Sequence, residues 1–257
     1  MNADTRSLEH AETEARAALQ AELSHHLELT QDVINLIGDS LALAPELKVV
    51  EVPASRKVAT NLLIRISNDI RSACILAVSG YPVQSLALVA CIYEGAFTVA
   101  FISCDDDLAR EWINYCDPAR PFRDAKTLTQ EGLQKLRHPQ ADTQAIIEYK
   151  IYRQLCWAKH NNPILQKEYG YEIDAGNVIW KNGPIISEPA VRASWYSLEN
   201  AAHFGLLAAT SFCVSHVPQK EQRDLMQRIK AVGKTWKTLL DAARQKWGNE
   251  DPFPGQW

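Results

Sequence analysis

The sequence lacks the short motifs of the commonest enzyme classes. It has no glycine-rich phosphate loop, no Gly-x-Ser-x-Gly nucleophile elbow and no zinc-finger spacing. Its six cysteines include no Cys-x-x-Cys pair and mostly fall in apolar runs, where cysteine behaves as a small hydrophobic residue. We therefore expect reduced cysteines buried in a cytoplasmic protein, with no disulfide framework and no cofactor.

The sequence also lacks an excess of positive charge. Its formal net charge of −4 gives no overall attraction to nucleic acid or to anionic lipid. A contact with RNA would have to come from a local basic patch. The first residues, MNADTRSLEHAETEARAALQ, contain acids and no continuous apolar run, so we expect no signal peptide.

Strand-like alternation is almost absent, and the dominant apolar period is helical. The 257 residues therefore predict an all-α, antiparallel helical bundle in a single domain, with one small β-hairpin between Tyr169 and Ser187. The predicted parts are an N-terminal helix within 1–45 that bends at Gly38, a core over 54–216, a C-terminal helix over 218–247 and an irregular tail over 248–257.

One apolar stretch is long enough to cross a bilayer, from Val83 to Cys104. Glu94 lies near its middle, and an acidic run follows it instead of a basic cluster. A helix that is apolar on all sides is also typical of the centre of a bundle. We therefore expect a core helix and no membrane span, with the preceding helix turning back at Gly80.

The stretch RQLCWAKHNNP, residues 153–163, ends a predicted helix with several side chains that handle phosphates and protons. Arg153 and His160 are seven residues apart, about two helical turns, so they share one side of the helix beside Lys159. Arg and Lys could stabilise a phosphodiester while His transfers a proton. Alternatively, Lys159 and His160 complement the negative end of the helix dipole, and Asn161 and Asn162 form the turn.

A second group of polar residues lies within apolar helices. Glu94 needs a partner if it is buried, and Arg65 and Arg71 on the neighbouring helix are candidates. Glu199 and His203 share a helix face, four residues apart. Glu94, Glu199 and His203 could instead ligate a metal in the bundle. Because Glu94, Glu199 and His203 form neither a Glu-x-x-His nor a His-x-x-x-His motif, ion pairing is the preferred interpretation.

The seven tryptophans are not interleaved with Lys and Arg, so most of them are expected in the core. Trp157 is the exception because it lies inside the 153–163 stretch. It is a candidate for stacking on an RNA base, together with Asn161 and Asn162 as polar RNA contacts.

The stretch Asn61–Glu94 followed by YRQLCWAKHNNP resembles helical bacterial proteins with a Gly-turn helix pair and a late His-Asn-Pro element. These look similar to the HEPN superfamily of helical bundles, whose motif is an Arg followed after a few residues by a His. Arg153 and His160 match it with six intervening residues. Gln154 departs from the Asn, Asp or His that usually follows the Arg.

The resemblance implies a metal-independent ribonuclease of a toxin or antiviral-defence system. Two protomers of a homodimer would pool their motifs, and a protein antitoxin would be a natural partner. Arg153 and Lys159 would hold the scissile phosphate, and His160 would transfer a proton or orient the 2′-hydroxyl. Two alternatives remain, a non-catalytic helical interaction module and a metal-carboxylate bundle.

Overall fold

The computed structural model describes residues 7–174, 176–180 and 183–248. Within these ranges the protein is an all-α bundle with one small hairpin, as the sequence predicts. The helices are α1 (Leu8–Glu22), α2 (Ser24–Leu43), α3 (Ala54–Val78), α4 (Pro82–Ile102), α5 (Asp106–Asn114), α6 (Ala125–Lys135), α7 (Ala141–Lys159), α8 (Pro163–Tyr169), α9 (Glu188–His216) and α10 (Gln219–Trp247). A short 3₁₀ turn, Val49–Glu51, lies between α2 and α3.

The N-terminal region forms two helices, so the prediction of one helix bent at Gly38 is wrong. The break falls at Leu23, and Gly38 lies inside α2 without interrupting it. Leu23 is fully buried and packs with Leu19 against Ala77 and Leu198. The backbone at Leu23 has φ −99° and ψ 2°. The break therefore lies at a buried leucine that contacts α3 and α9, and not at a glycine.

Helix α4 lies at the centre of the bundle and is buried on nearly all sides. Tyr93, Phe97 and Phe101 are among its largest buried side chains. Each such residue contributes roughly 1.5–3 kcal/mol through burial. The helix is long and apolar enough to cross a membrane, but 72% of its most apolar stretch is buried inside the protein. This burial is compatible with a core helix of a soluble protein.

Gly80 makes the turn between α3 and α4. Its φ of 81° lies in the left-handed region, and a Cβ there would sit 2.7 Å from Pro184 Cβ. The Gly80 carbonyl also accepts a hydrogen bond of 2.9 Å from the Ile185 N–H. Glycine is therefore required both for the turn and for the close approach of the segment before α9.

The predicted hairpin is present as β1 (Tyr171–Asp174) and β2 (Asn177–Trp180), paired antiparallel with Tyr171 opposite Trp180. Immediately before it, α8 is a helix that the sequence analysis did not anticipate. Pro163 does follow the end of α7, as expected, but it also begins α8, where its missing N–H costs nothing.

Helices α9 and α10 complete the bundle. One large hydrophobic cluster draws residues from every helix between α2 and α10, whereas a smaller cluster attaches α1 to α3 and α9. Of the predicted irregular tail, only Gly248 lies among the described residues. Helix α7 packs on α4 and α6, and a cavity lined by α7, α9 and α10 holds the site described below.

Candidate functional site

The end of α7 is a complete C-terminal capping turn. The His160 N–H donates to the Cys156 carbonyl, and the Asn162 N–H donates to the Trp157 carbonyl, each at 2.9 Å. Asn161 has a φ of 52°, the left-handed conformation that this turn requires. Asn162 Oδ1 then accepts a hydrogen bond of 2.9 Å from the Ile164 N–H at the start of α8. Both asparagines therefore have a structural role in joining α7 to α8.

Of the three predicted catalytic residues, Arg153 and His160 are exposed, whereas Lys159 has an internal partner. Lys159 Nζ lies 2.8 Å from Glu94 Oε1, and the Tyr152 hydroxyl donates to the same oxygen at 2.6 Å. Burial lowers the pKa of Lys159, but the Glu94 carboxylate outweighs it and the pKa is raised overall. Trp157 packs against the hydrophobic core.

The expected partners of Glu94, Arg65 and Arg71, do not pair with it. Arg65 Nε lies 3.5 Å from Asp69 Oδ2 on its own helix, and Arg71 is exposed. The Glu94 side chain is also 36% exposed, so it is not an isolated charge in the core. The partner of Glu94 is Lys159 on α7. The two residues are 65 positions apart in the sequence, so no local spacing indicated the pair.

The three proposed metal ligands lie in separate hydrogen-bonded pairs. Glu199 Oε1 lies 3.2 Å from His26 Nε2, and His203 Nε2 lies 2.9 Å from Glu148 Oε1. Among the described residues, no group of three His, Cys, Asp or Glu side chains could hold a metal ion. Glu94, Glu199 and His203 are therefore not brought together as ligands of one metal ion.

Glu199 and His203 do share a face, as predicted, and both line a cavity of about 360 Å³ between α7, α9 and α10. We call it the α7–α9–α10 cavity. Aromatic and aliphatic side chains form most of its wall, chiefly Trp195, Trp236, Trp247, Ile147, Ile151 and Leu240. A small number of polar side chains lie among these apolar ones, which is the usual composition of a small-molecule site.

Trp236 fixes one end of this cavity. Its ring stacks on His203 with centroids 4.8 Å apart, and its Nε1 donates to the Glu199 carbonyl at 3.0 Å. At the other end, the rings of Trp195 and Trp247 meet edge to face at 4.5 Å. Both ends are therefore built by contacts between α9 and α10.

Glu148 is the most unusual polar residue of the cavity. Only 3% of it is exposed, and its Oε1 accepts hydrogen bonds from His203 and from Gln144 Nε2. Burial raises the pKa of this carboxyl, but His203, through charge and hydrogen bonding, and Gln144 outweigh burial and hold the pKa below its ordinary value. The carboxylate is thus ionised near neutral pH, yet its Oε2 has no partner among the described residues.

Gln154 is also buried, at 1% exposure, and lines the same cavity. Its Oε1 accepts a hydrogen bond of 2.6 Å from the Tyr196 hydroxyl. Its Nε2 is left without an acceptor in the part of the chain that the structure describes. Gln154 directly follows Arg153, so neighbouring residues of the 153–163 stretch lie on different faces of α7.

The opposite face of α7 borders a groove of about 560 Å³ against α6. Lys126, Lys150 and Arg153 line it together with Tyr149 and Asp142. We call it the α6–α7 groove. Three cations and one acid make it a local basic surface, of the kind that contact with RNA would require. His160 lies beyond the end of this groove.

The sequence pattern indicated Glu199 and His203, but it did not indicate Glu148, Gln154 or the three cavity tryptophans as parts of a site. Glu148 lies four residues after Gln144, and this spacing was the one available signal on α7. The tryptophans were assigned to the core because nothing local distinguishes a cavity wall from a packed interior.

Comparison of this chain with protein-family models, with curated proteins and with solved structures gave no match. Function is therefore argued from the geometry of the site.

Proposed function

We propose that this protein is a ligand-binding helical bundle and that the α7–α9–α10 cavity is its binding site. The proposal rests on the composition of this cavity, in which Trp195, Trp236 and Trp247 surround a few polar side chains. Apolar and aromatic walls with a small number of fixed polar groups are typical of small-molecule sites.

The walls of the cavity are held before any ligand arrives. His203 is fixed by the hydrogen bond between its Nε2 and Glu148 Oε1 and by the ring of Trp236, which stacks on its face. Gln154 is oriented by Tyr196. Preorganised side chains lose little conformational entropy on binding, so this arrangement favours recognition of a small molecule.

Ligand-observed NMR on a mixed library of small organic acids, amines and neutral heterocycles tests this proposal. Ala243 lines the cavity on α10, so Ala243→Trp should fill it, whereas its exposed neighbour Ala242 does not line it. We expect compounds that bind the wild type and Ala242→Trp but not Ala243→Trp. A library in which no compound distinguishes the two tryptophan variants would overturn the proposal.

A metal-independent ribonuclease is a second candidate. The specific observation in its favour is that Arg153 and His160 are both exposed, two turns apart on one helix, beside the basic α6–α7 groove. In this proposal a cytoplasmic homodimer of a toxin or antiviral-defence protein, partnered by an antitoxin, cuts RNA. Lys159 would then act by positioning α7 against Glu94, since its ammonium is already engaged.

Incubation of the protein with mixed single-stranded RNA in EDTA tests the second candidate. Cleavage should be lost in His160→Ala and kept in His25→Ala, a variant of another exposed histidine. Equal cleavage by His160→Ala, or no cleavage by the wild type across a set of structured and unstructured RNAs, would reject it.

A further inference from the structure

Glu148 and His203 form a carboxylate–imidazole pair at the wall of the α7–α9–α10 cavity. His203 Nε2 lies 2.9 Å from Glu148 Oε1. The two side chains differ in access, because that of Glu148 is 4% exposed, whereas that of His203 is 24% exposed and lines the cavity. The carboxylate is therefore enclosed, and the imidazole is the member of the pair that a molecule in the cavity can reach.

The pairing also decides which ring nitrogen of His203 is basic. An ionised carboxylate only accepts hydrogen bonds, so Nε2 carries the proton and the lone pair of the neutral ring lies on Nδ1. Nδ1 has no hydrogen-bond partner among the described residues, and unlike Glu148 Oε2 it is not closed off from solvent. The basic nitrogen is therefore accessible and free to take up a proton.

Two contacts of His203 favour its protonated form. The Glu148 carboxylate is a negative charge held at Nε2. The ring of Trp236 stacks on the imidazole with centroids 4.8 Å apart and an angle of 19° between the planes, so an imidazolium would lie over an aromatic face. A carboxylate that orients one nitrogen of a histidine and stabilises the imidazolium lets the other nitrogen act as a general base.

From this geometry we infer that His203 is a general base and that the α7–α9–α10 cavity holds a substrate that loses a proton to Nδ1. This inference rests on the proposed function and adds a reaction to it. His203 is the catalytic residue, since its Nδ1 contacts the reacting proton. Glu148 is a positioning residue, because it acts through the imidazole.

The walls of the cavity indicate the class of substrate. Trp195, Trp236 and Trp247 offer aromatic surfaces, which suit a planar, apolar molecule. Largely apolar walls give little support to a localised negative charge. The substrate is therefore a planar conjugated molecule with a weakly acidic C–H group, whose own conjugated frame spreads the charge left by the proton.

Nitro-substituted benzisoxazoles test this inference, because their ring opening needs only a base. His203 Nδ1 takes the proton from C3, the C–H electron pair completes a nitrile, and the N–O bond breaks to leave a phenolate. The imidazolium then releases its proton to water. We expect kcat/KM for 5-nitrobenzisoxazole, followed by phenolate absorbance, to exceed the rate constant of free imidazole by about 100-fold or more, as a positioned base provides.

Matched variants locate the base. His203→Gln should remove the excess rate, and added imidazole should restore part of it in His203→Ala. Ala243→Trp should abolish it by filling the cavity, whereas Ala242→Trp and His25→Ala, both at exposed positions outside the cavity, should react like the wild type. Glu148→Gln should lower kcat by about tenfold or more with little change in KM, because the imidazolium loses its carboxylate.

The outcomes separate the reaction from the proposed function. The inference about His203 is wrong if the wild type reacts no faster than free imidazole, or if His203→Gln or Ala243→Trp keeps the wild-type rate. A failure of imidazole to restore any rate in His203→Ala would also overturn it. The proposed function still stands in these cases if the mixed library yields compounds that Ala243→Trp excludes. If the library yields none, both fail.

Discussion

His216, the last residue of α9, is a histidine held in its neutral form. Burial, with the nearby charge of Arg56, lowers its pKa from 6.5 to about 4, and Asp106 only partly opposes this. Its ring packs 5.0 Å from that of Phe212, and its Nε2 has no partner among the described residues. Protonating this imidazole must therefore work against the folded state.

Acidification should destabilise the protein through His216. Between pH 6.5 and 4 the unfolded chain binds a proton that the folded chain excludes, so the free energy of unfolding falls as the pH falls. We expect a loss of about 2 kcal/mol, allowing for partial solvent access. Urea unfolding at several pH values should show this loss of unfolding free energy in the wild type and in His25→Leu, but not in His216→Leu. Equal slopes in all three proteins would contradict it.

The sequence allowed individual polar residues to be identified, but not their partners. Glu94 was expected to need a partner if buried, and Glu199 and His203 were expected to share a helix face. Neither of the two candidate partners of Glu94 pairs with it. The actual pairs join residues 65 apart for Glu94 with Lys159 and 55 apart for His203 with Glu148. Such pairs depend on how three or more helices pack, which no local spacing encodes.

At the scale of elements, α9 lies close to both α2 and α3 at Gly205. A Cβ there would lie 2.5 Å from Val33 Cγ1 and 2.9 Å from Ile70 Cδ1. In α10, Gly233 has nothing within 4 Å of the same built position. The two glycines therefore form a matched pair, one required by helix packing and one not.

Alanine should have opposite effects at these two glycines. Gly205→Ala should destabilise by about 1–2 kcal/mol, because the cost of overpacking exceeds the gain in helix propensity. Gly233→Ala should stabilise by about 0.5–1 kcal/mol through propensity alone. Urea denaturation midpoints at an unchanged m-value measure both effects. Stabilisation by Gly205→Ala would show that α9 can shift away from α2 at little cost.

Helix boundaries were predictable where local chemistry sets them. Helix α7 was expected to end within the stretch 153–163, and it ends at Lys159, followed by its asparagine cap. The break at Leu23 was not predictable, because a buried leucine in a helical sequence gives no local stop signal. Helix α8 was missed because Pro163 was interpreted as the end of one helix and not also as the start of another.

At the scale of the whole molecule, the free energy of the opening that exposes backbone amides should be higher for α4 than for α1. Helix α4 lies within the main hydrophobic cluster, whereas α1 is attached through the smaller one. Amides of α4 should therefore exchange with solvent only through global unfolding, and those of α1 through local opening at a lower free energy.

Native-state hydrogen exchange at increasing denaturant concentration measures this difference. Exchange in α4 should follow the denaturant dependence of global unfolding, and exchange in α1 should be nearly independent of denaturant at low concentration. Identical behaviour of the two helices would mean that α1 unfolds together with the rest of the bundle.

The burial of α4 has a consequence for synthesis of the protein. The ribosome completes α4 at Ile102 but must add a further 114 residues to finish α9, which covers it. At typical bacterial and eukaryotic elongation rates this takes about 6 to 23 s. During that interval α3, which precedes α4 and packs against it, can cover one side of α4, but the side that α9 covers stays exposed. Until α9 emerges, the nascent chain therefore carries a partly covered apolar helix that is long enough to resemble a membrane anchor.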